Sequence, residues 1–373
     1  MRGCEWITDK ILDHINMYWL GIILLVILLG IVLLFYMNRK EGFKSNTLSL
    51  DAFNEKYHAD IVGLPTWLFA LGVENNQYHT YSNLELYAET MIEYWMEHLH
   101  PHLPPKYYVI ICPLDGFGNH GDVSKELTYK QVTKDSISKL KGPDGAIAIS
   151  YETNEYPVFH SKKTIFAVCK NINDKTTVLL PDCHFIREQA YEKIFKDIDD
   201  NRIPFRSKKN ECIWRGGLAN GSIHNFLVQK DKETNPRQYF KKLYEEGRFK
   251  KVNFEMNQTS IPKQITYKYI LDIDGWSSTW SAMIWKLYSG SVLLKTKSKW
   301  KQWYYDDLKE WVHYVPIEND FSDLNDKIEW CIHNETECER IIENAKKFVL
   351  QKLNWEQVKR DTIVSVKYAL TQS

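Results

Sequence analysis

The chain is 373 residues long, with 48 Lys and Arg against 48 Asp and Glu, 44% hydrophobic residues and 14% aromatics. A formal charge of zero beside that apolar content excludes a disordered chain and a polybasic nucleic-acid arm, so no nucleic-acid partner is expected. At roughly 150 residues per domain the length predicts two lobes plus an accessory segment.

After a flank at residues 1–16, no residue from Met17 to Met37 is charged. The run is about 31 Å long as a helix, enough to span a bilayer. It closes on Phe35, Tyr36 and Met37, then Asn38, Arg39 and Lys40, rather than on the small residues of a cleavage site. Tyr18, Trp19 and Tyr36 sit where interfacial aromatics belong. The expectation is therefore an uncleaved, single-pass transmembrane anchor at 17–37. Arg39, Lys40 and Lys44 follow the span and Arg2 and Lys10 precede it, a one-charge lean toward a cytosolic C-terminal portion. Three sequons, at Asn220, Asn257 and Asn334, would matter only in a secretory lumen. An endomembrane (ER or Golgi) location and a cytosol-facing one both stay open. The seven cysteines are odd in number and lack CxxC pairs, which indicates neither a zinc module nor a dense disulfide framework.

Residues 38–50 read as a polar stalk, and 51–205 as an N-terminal, acceptor-side lobe. Apolar residues at helical spacing predict a helix over 84–98, stopped by Pro101, Pro104 and Pro105. Tyr107 to Cys112 reads as a buried strand leaving through the Pro113 to Gly118 loop, and Ala146 to Ser150, Thr164 to Cys169 and Thr177 to Leu180 as further short strands. The stretch from Asp199 to Lys209 connects to a C-terminal lobe at 206–350. There Glu211 to Arg215 enters the Gly216-Gly217 turn, and Tyr267 to Asp274 ends at Gly275 before a helix through Met283, Ile284 and Leu287. Strands follow at Ser291 to Leu294 and Trp311 to Val315, then a helix carrying Leu324, Ile328, Cys331 and Ile332. Another helix opens with a Thr336/Glu339 capping box, and 351–373 completes the chain as a C-terminal helix. The rhythm is α/β: two Rossmann-like lobes with a cleft between them.

In open α/β sheets ligands sit beyond the carboxyl ends of the strands, which singles out the loops after Cys112, Trp214 and Asp274. The stretch Asp274-Gly-Trp-Ser-Ser-Thr279 reads either as an anion site, through the amides and hydroxyls of Gly275, Ser277, Ser278 and Thr279, or as an ordinary N-cap by Ser277 or Ser278. Arg215, ahead of Gly216, reads as a bidentate grip on a diphosphate or as a surface arginine in a turn. Asp272-x-Asp274 has the look of a metal-binding carboxylate pair but lies in a hydrophobic strand. The alternating His98, His100 and His102 are opposed by the neighbouring prolines. Neither is read as a metal site. A hydrolase is disfavoured, since neither G-x-S-x-G nor H-E-x-x-H occurs.

The stretches Lys268 to Gly275, Tyr288 to Lys295, Trp303 to Pro316 and Asp320 to Asp323, with Trp214-Arg215-Gly216 ahead of them, resemble glycosyltransferase family 90. Its members include Rumi-like protein O-glucosyltransferases and capsule-associated xylosyltransferases. The resemblance covers roughly residues 205 to 350. It implies a GT-B fold, a UDP-sugar donor held by the second lobe, no essential metal or other cofactor, and an inverting transfer to a protein or glycan hydroxyl. It also implies an Asp base after an early strand, best matched by Asp115, with Arg215 and the Gly275 to Thr279 loop on the diphosphate and His313 and Tyr314 lining the donor side. The sequence departs from the pattern at one point. The stretch from Trp276 to Lys286 has no arginine where relatives carry one about six residues past the Asp-Gly glycine. Either the hydroxyls and Lys286 compensate, or the chain is a degenerate glycan-binding or scaffold protein of the same fold.

Overall fold

Two helix-backed β-sheets are built from strands that the apolar runs predict, and from a hairpin and an edge strand, Val252–Glu255, that they do not. The computed structural model describes residues 46–113, 147–148, 159–160, 164–218, 227–257 and 259–372, with short breaks at 60, 62–63, 65–67, 82–86, 173, 175–176, 230–231, 235, 276 and 299. The expected span at 17–37, its flank and Asp115 with its loop lie outside these residues. Among the described residues no helix is long and apolar enough to cross a membrane. The end of the expected stalk already belongs to the fold: the Ser49 hydroxyl accepts from the Ala52 N–H and caps helix α1 (Leu50–Tyr57).

The first sheet contains β1 (Asn46–Thr47), β2 (Phe69–Glu74), β3 (Gln77–Tyr81), β4 (Lys106–Cys112), β5 (Ile165–Ala167) and β6 (Val178–Leu179), in the order β1-β3-β2-β4-β5-β6. It is mixed: β2 runs antiparallel to β3 and β4, whereas β4, β5 and β6 are parallel. The unforeseen hairpin β2–β3 closes through Asn75 and Asn76, at φ of 51° and 65°. A two-residue turn of that hand matches strand twist, and asparagine tolerates left-handed backbone. One sheet face is covered by α2 (Ala88–Tyr94), whose Met91 and Ile92 pack with Trp95, Leu71, Val109, Ile111 and Phe166. After α2 the helix widens into a π-type turn over Trp95–Leu99, and His98 within it and His100 after it serve packing. His100 bonds the Tyr107 hydroxyl at 3.2 Å and the Asn76 side chain at 2.9 Å, and His98 packs edge-on against Tyr94 and Trp355.

The second sheet comprises β7 (Lys209–Arg215), β8 (Val252–Glu255), β9 (Tyr267–Asp272), β10 (Val292–Thr296) and β11 (Val315–Ile317), ordered β8-β7-β9-β10-β11 and parallel throughout. Every residue of β9 is buried, as expected of a central parallel strand covered on both faces. Its covering helices include α3 (Cys183–Arg187), α4 (Glu192–Asp200), α5 (Pro236–Glu245), α6 (Ser281–Tyr288), α7 (Leu324–His333) and α8 (Glu335–Lys352). Two local expectations shift. The strand expected at Trp311 to Val315 starts only at Val315, because Trp311 takes φ 60°, closes a turn onto the Tyr314 carbonyl, and packs edge-on against Trp330 of α7. The expected capping box lies inside α8, and Glu339 instead accepts both N–H bonds of an Arg206 fork at 2.9 Å. Helix α9 (Trp355–Gln372) returns to the first sheet, where Val366 and Ala369 join its core. A short ribbon pairs Lys170–Asn171 with Trp300–Lys301, so the two sheets share covalent and hydrogen-bonded links.

Where β9 ends, the fold buries charge. The Asp272 carboxylate, wholly buried, accepts from Lys286 Nζ of α6 at 2.6 Å, from Lys295 Nζ of β10 at 3.3 Å and from the Thr279 hydroxyl at 2.8 and 2.9 Å. Lys295 also lies 3.6 Å from Asp274, which accepts from the Ser298 hydroxyl. Burial alone would push the Asp272 carboxyl up, but the two ammonium groups and the hydrogen bonds from Lys286 and Thr279 reverse this and hold it well below the usual carboxylate range. A buried charge stripped of its partner costs about 3–5 kcal/mol, against about 1 kcal/mol or less for an exposed pair. Asp272→Asn is therefore expected to lower the urea midpoint far more than Lys56→Gln, which breaks the half-exposed pair with Glu74 at 2.9 Å. A carboxyl held low in the folded state contributes stability above its unfolded value of about 3.9, and loses it as pH falls toward the folded value. Midpoints measured from about pH 5 down to about pH 3 should fall, and less steeply in Asp272→Asn.

Candidate functional site at the sheet switch point

In chain order the second sheet reads 2-1-3-4-5, so its winding reverses between β7 and β9. The crevice outside the carboxyl ends of those two strands is where such sheets bind ligands. Two glycine turns meet there, Gly216-Gly217 after β7 and Gly275 after β9, and a guanidinium from a third element lies over both. Arg237, in the first turn of α5, donates from Nε and Nη2 to the Ile273 carbonyl, at 3.1 and 2.9 Å, and from Nη1 to the Gly217 carbonyl at 2.9 Å. A side chain at Gly275 would begin 3.1 Å from Arg237 Nη2, and one at Gly216 would begin 3.1 Å from the Trp214 ring and 3.7 Å from Nη1. A Cβ at Gly275 would press on the guanidinium, which would have to shift by a few tenths of an ångström. The Arg237 guanidinium also sits 5.7 Å from the centroid of Trp214, which stacks on Phe254.

The residues singled out in the sequence divide into three groups. Gly216, Gly275, Ser277, Ser278 and Thr279 lie along the crevice loops, but the three hydroxyl residues do not cap a helix. Helix α6 begins at Ser281 behind Trp280, whose φ of 47° is unusual for a bulky residue. The Thr279 hydroxyl donates inward to Asp272, and Ser278 accepts from Gln302 Nε2 at 2.6 Å. Arg215 is turned away. Its side chain is 3% exposed and donates to the Trp214 carbonyl at 2.8 Å, the Asn253 carbonyl at 2.9 Å and the Asn253 side chain, with Glu255 at 3.4 Å, all on the side of edge strand β8. His313 and Tyr314 immediately precede β11, whose first residue, Val315, is level through Leu294 with Leu271 near the carboxyl end of β9. His313 packs on Phe348 of α8 at 4.9 Å, and its Nδ1 accepts from the Lys309 N–H. Asp115 lies outside the described residues.

Lys286, expected to compensate for the absent helix arginine, instead points into the protein, where Asp272 holds it. Asp272 and Asp274 are likewise spent on lysines and a serine, and among the described residues no group of three His, Cys, Asp or Glu is placed to hold a metal ion. Arg237 escaped the sequence reading, although Pro236 opening a run with Tyr239, Phe240 and Leu243 at helical spacing marks a helix start just past the glycine turn.

An aromatic group from both lobes adjoins the Ser277 to Thr279 loop. Tyr87, His184 and Trp280 pack mutually at centroid distances of 5.6 to 6.0 Å, with the Arg187 guanidinium 5.6 Å from the Tyr87 centroid. A separate cavity of about 370 Å³, lined by Lys170, Lys301, Trp303, Lys352 and Asp361 among others, contains none of the crevice residues.

The model of glycosyl transferase family 90 matches residues 150–364, more than half of the chain. Uncharacterized protein 035R of Invertebrate iridescent virus 3 is 39% identical over 105 residues, 28% of this chain and 10% of its own. The chain thus spans about a tenth of the length of that viral relative. O-glucosyltransferase LpsA of Dichelobacter nodosus is 28% identical over 152 residues, 40% of this chain and 46% of its own. Protein O-glucosyltransferase 2 of Danio rerio is 32% identical over 92 residues, 25% of this chain and 18% of its own. Among solved structures, Anabaena Alr3699/HepE in complex with UDP-glucose overlaps 48% of this chain and 46% of its own, at a TM-score of 0.30 and 13% identity. The match over residues 150–364 makes the chain a member of glycosyl transferase family 90.

Proposed function

We propose that the chain is an inverting, UDP-sugar-dependent glycosyltransferase that moves glucose, or a similar sugar such as xylose, to a protein or glycan hydroxyl. The observation that carries this reading is the switch-point crevice, where two glycine turns and a guanidinium converge in a chain of this family. The glycine turns permit close approach to the backbone, and a fixed cation adds charge where a leaving diphosphate becomes more negative. The names O-glucosyltransferase LpsA and Protein O-glucosyltransferase 2 support glucose as the sugar, and the latter name supports a protein acceptor. The half-buried faces of Tyr87, His184 and Trp280 beside the loop suit the stacking of a sugar ring. Asp115 is the proposed general base. A single displacement requires one carboxylate within hydrogen-bond reach of the acceptor hydroxyl, on the face opposite the departing UDP. The uncharged run at 17–37 supports a membrane anchor, on an endomembrane or a cytosol-facing surface.

A second reading, a glycan-binding or scaffold protein, is favoured by one observation. Lys286 is drawn into the Asp272 pair, so the helix after Gly275 presents no cation of its own. A single-turnover assay with UDP-glucose labelled in the sugar, EDTA present, and a panel of peptide and glycan acceptors separates the two. The enzyme releases UDP in proportion to label transferred, whereas the binding protein retains glycan without releasing UDP. Asp115→Asn should slow transfer by about 10²–10⁴-fold, the span of general-base contributions, with UDP affinity unchanged. An equal loss of UDP binding would remove Asp115 from the role of base. The full chain should sediment with membranes after carbonate washing, and lose this when 17–37 is deleted; sedimentation unchanged by the deletion would refute the anchor.

A further inference from the structure

We propose that the cavity beside helix α9 is a second carbohydrate site, separate from the crevice, that takes a neutral sugar of one or two rings. It encloses about 370 Å³, at the small end of the roughly 300–1,000 Å³ typical of small-molecule sites. Its walls come from three places: Lys170 of the ribbon with Thr177 to Leu179 at β6, the segment from Lys301 to Asp307, and α9 together with the end of α8. None of the lining residues belongs to the glycine turns or to α5, so the site stands independently of the donor reading.

The lining balances its own charge. Among the described residues three lysines, Lys170, Lys301 and Lys352, line it with three aspartates, Asp306, Asp307 and Asp361. Lys301 donates to both Asp306 oxygens at 2.9 and 2.8 Å, Lys352 lies 3.9 Å from Asp307, and Asp361 accepts from Gln357 at 2.8 Å. Lys170, only 8% exposed, donates to the Thr177 carbonyl at 2.5 Å, which uses one of the three donors of its ammonium, and Asp174 and Asp306 lie near enough to act on its charge. A charged ligand would give up hydration here for a wall with no net counter-charge. A hydroxyl both donates and accepts, so a polyol can bond to either member of each pair without disturbing the balance. The aromatic face is at the rim: Tyr368 lines the cavity yet is 68% exposed. An open tyrosine ring beside a band of hydrogen-bonding charges matches the two surfaces of a sugar, its apolar C–H face and its hydroxyl edge.

The test is calorimetric titration of the full chain, in lipid nanodiscs so that no sugar-headed detergent competes, with glucose, maltose, glucuronate and glucosamine at slightly acid pH. Glucose or maltose should bind at least about fivefold more tightly than either charged sugar. Tyr368→Ala and Asp306→Asn alter exposed side chains on two different walls, so folding is not at stake. Each should weaken the neutral sugar by roughly three- to tenfold, the span of a lost stacking contact or hydrogen bond. Asp306→Asn should also move the preference toward glucuronate, because it leaves the lining one positive charge in excess. UDP binding should be unaltered in both, since the cavity contains no crevice residue. Neutral-sugar binding that is unchanged in both variants overturns the assignment, as does equal weakening of sugar and UDP, the signature of a general disturbance. Tighter binding of glucuronate or glucosamine than of glucose by the unaltered chain, or binding of none of the four sugars, overturns it as well. An unaltered chain that fails to bind UDP strikes the donor reading and leaves this site to stand on the sugar titrations.

Discussion

The structure turns on a wholly buried carboxylate at the end of its central strand. Removing Asp272 from water is unfavourable by several kcal/mol, and only near-ideal pairing offsets that. The fold supplies it from three directions, with Lys295 from the adjacent strand, Lys286 from the following helix and Thr279 from the loop between. Because each partner sits on a different element, satisfying one charge fixes the register of β9 and β10, the rotation of α6 and the path of residues 273–280. The loop at the crevice therefore follows from the ionic network beneath it.

That arrangement explains why the crevice is served from the far side. Lys286 and Thr279 face inward, and Ser277 and Ser278 are buried as well, so the segment after Gly275 offers the crevice no cation. Positive charge arrives instead from α5, packed most closely on Gly275, where a Cβ would begin 3.1 Å from Nη2. Glycine at Gly275 thus serves packing against a guanidinium as much as approach by a ligand. A Cβ there would disturb Arg237 even in the unliganded protein.

Three strands of the second sheet, β7, β9 and β10, were legible in the sequence because each is a short apolar run bounded by glycine or polar turns, as in Tyr267 to Asp272 followed by Gly275. Edge strand β8, with the alternating run Val252-Asn-Phe-Glu255, was not, and nor was the hairpin of the first sheet. Its Asn75-Asn76 turn lacks the usual glycine, and left-handed asparagines show only in the backbone. The strand expected at Trp311 went astray for a related reason: aromatic residues resemble a strand by composition, whereas here Trp311 forms a turn to pack on Trp330. In the crevice, residue types were readable but side-chain directions were not. Nothing local shows that Arg215 turns to the edge strand while Arg237, 22 residues on, turns back over Gly275, because both choices depend on tertiary partners, Asn253 for one and Ile273 for the other.

The lobes are not independent pieces, and this bears on how the crevice works. Helix α9 leaves the C-terminal helices and buries Val366 and Ala369 in the first sheet's core, with Trp355 against both Tyr94 and Phe185. The ribbon of Lys170–Asn171 with Trp300–Lys301 ties the lobes again two residues past Ser298, the partner of Asp274. Across the loop, Trp280 holds its strained backbone while packed against His184 of α3 and Tyr87 of the first lobe. A φ of that kind costs on the order of 1–3 kcal/mol and persists only where the surroundings over-determine it. Here the surroundings are the other lobe on one side and the Asp272 network on the other. The loop is therefore set by both lobes at once, so a movement of one lobe against the other would first be felt at Trp280 and the hydroxyls beside it.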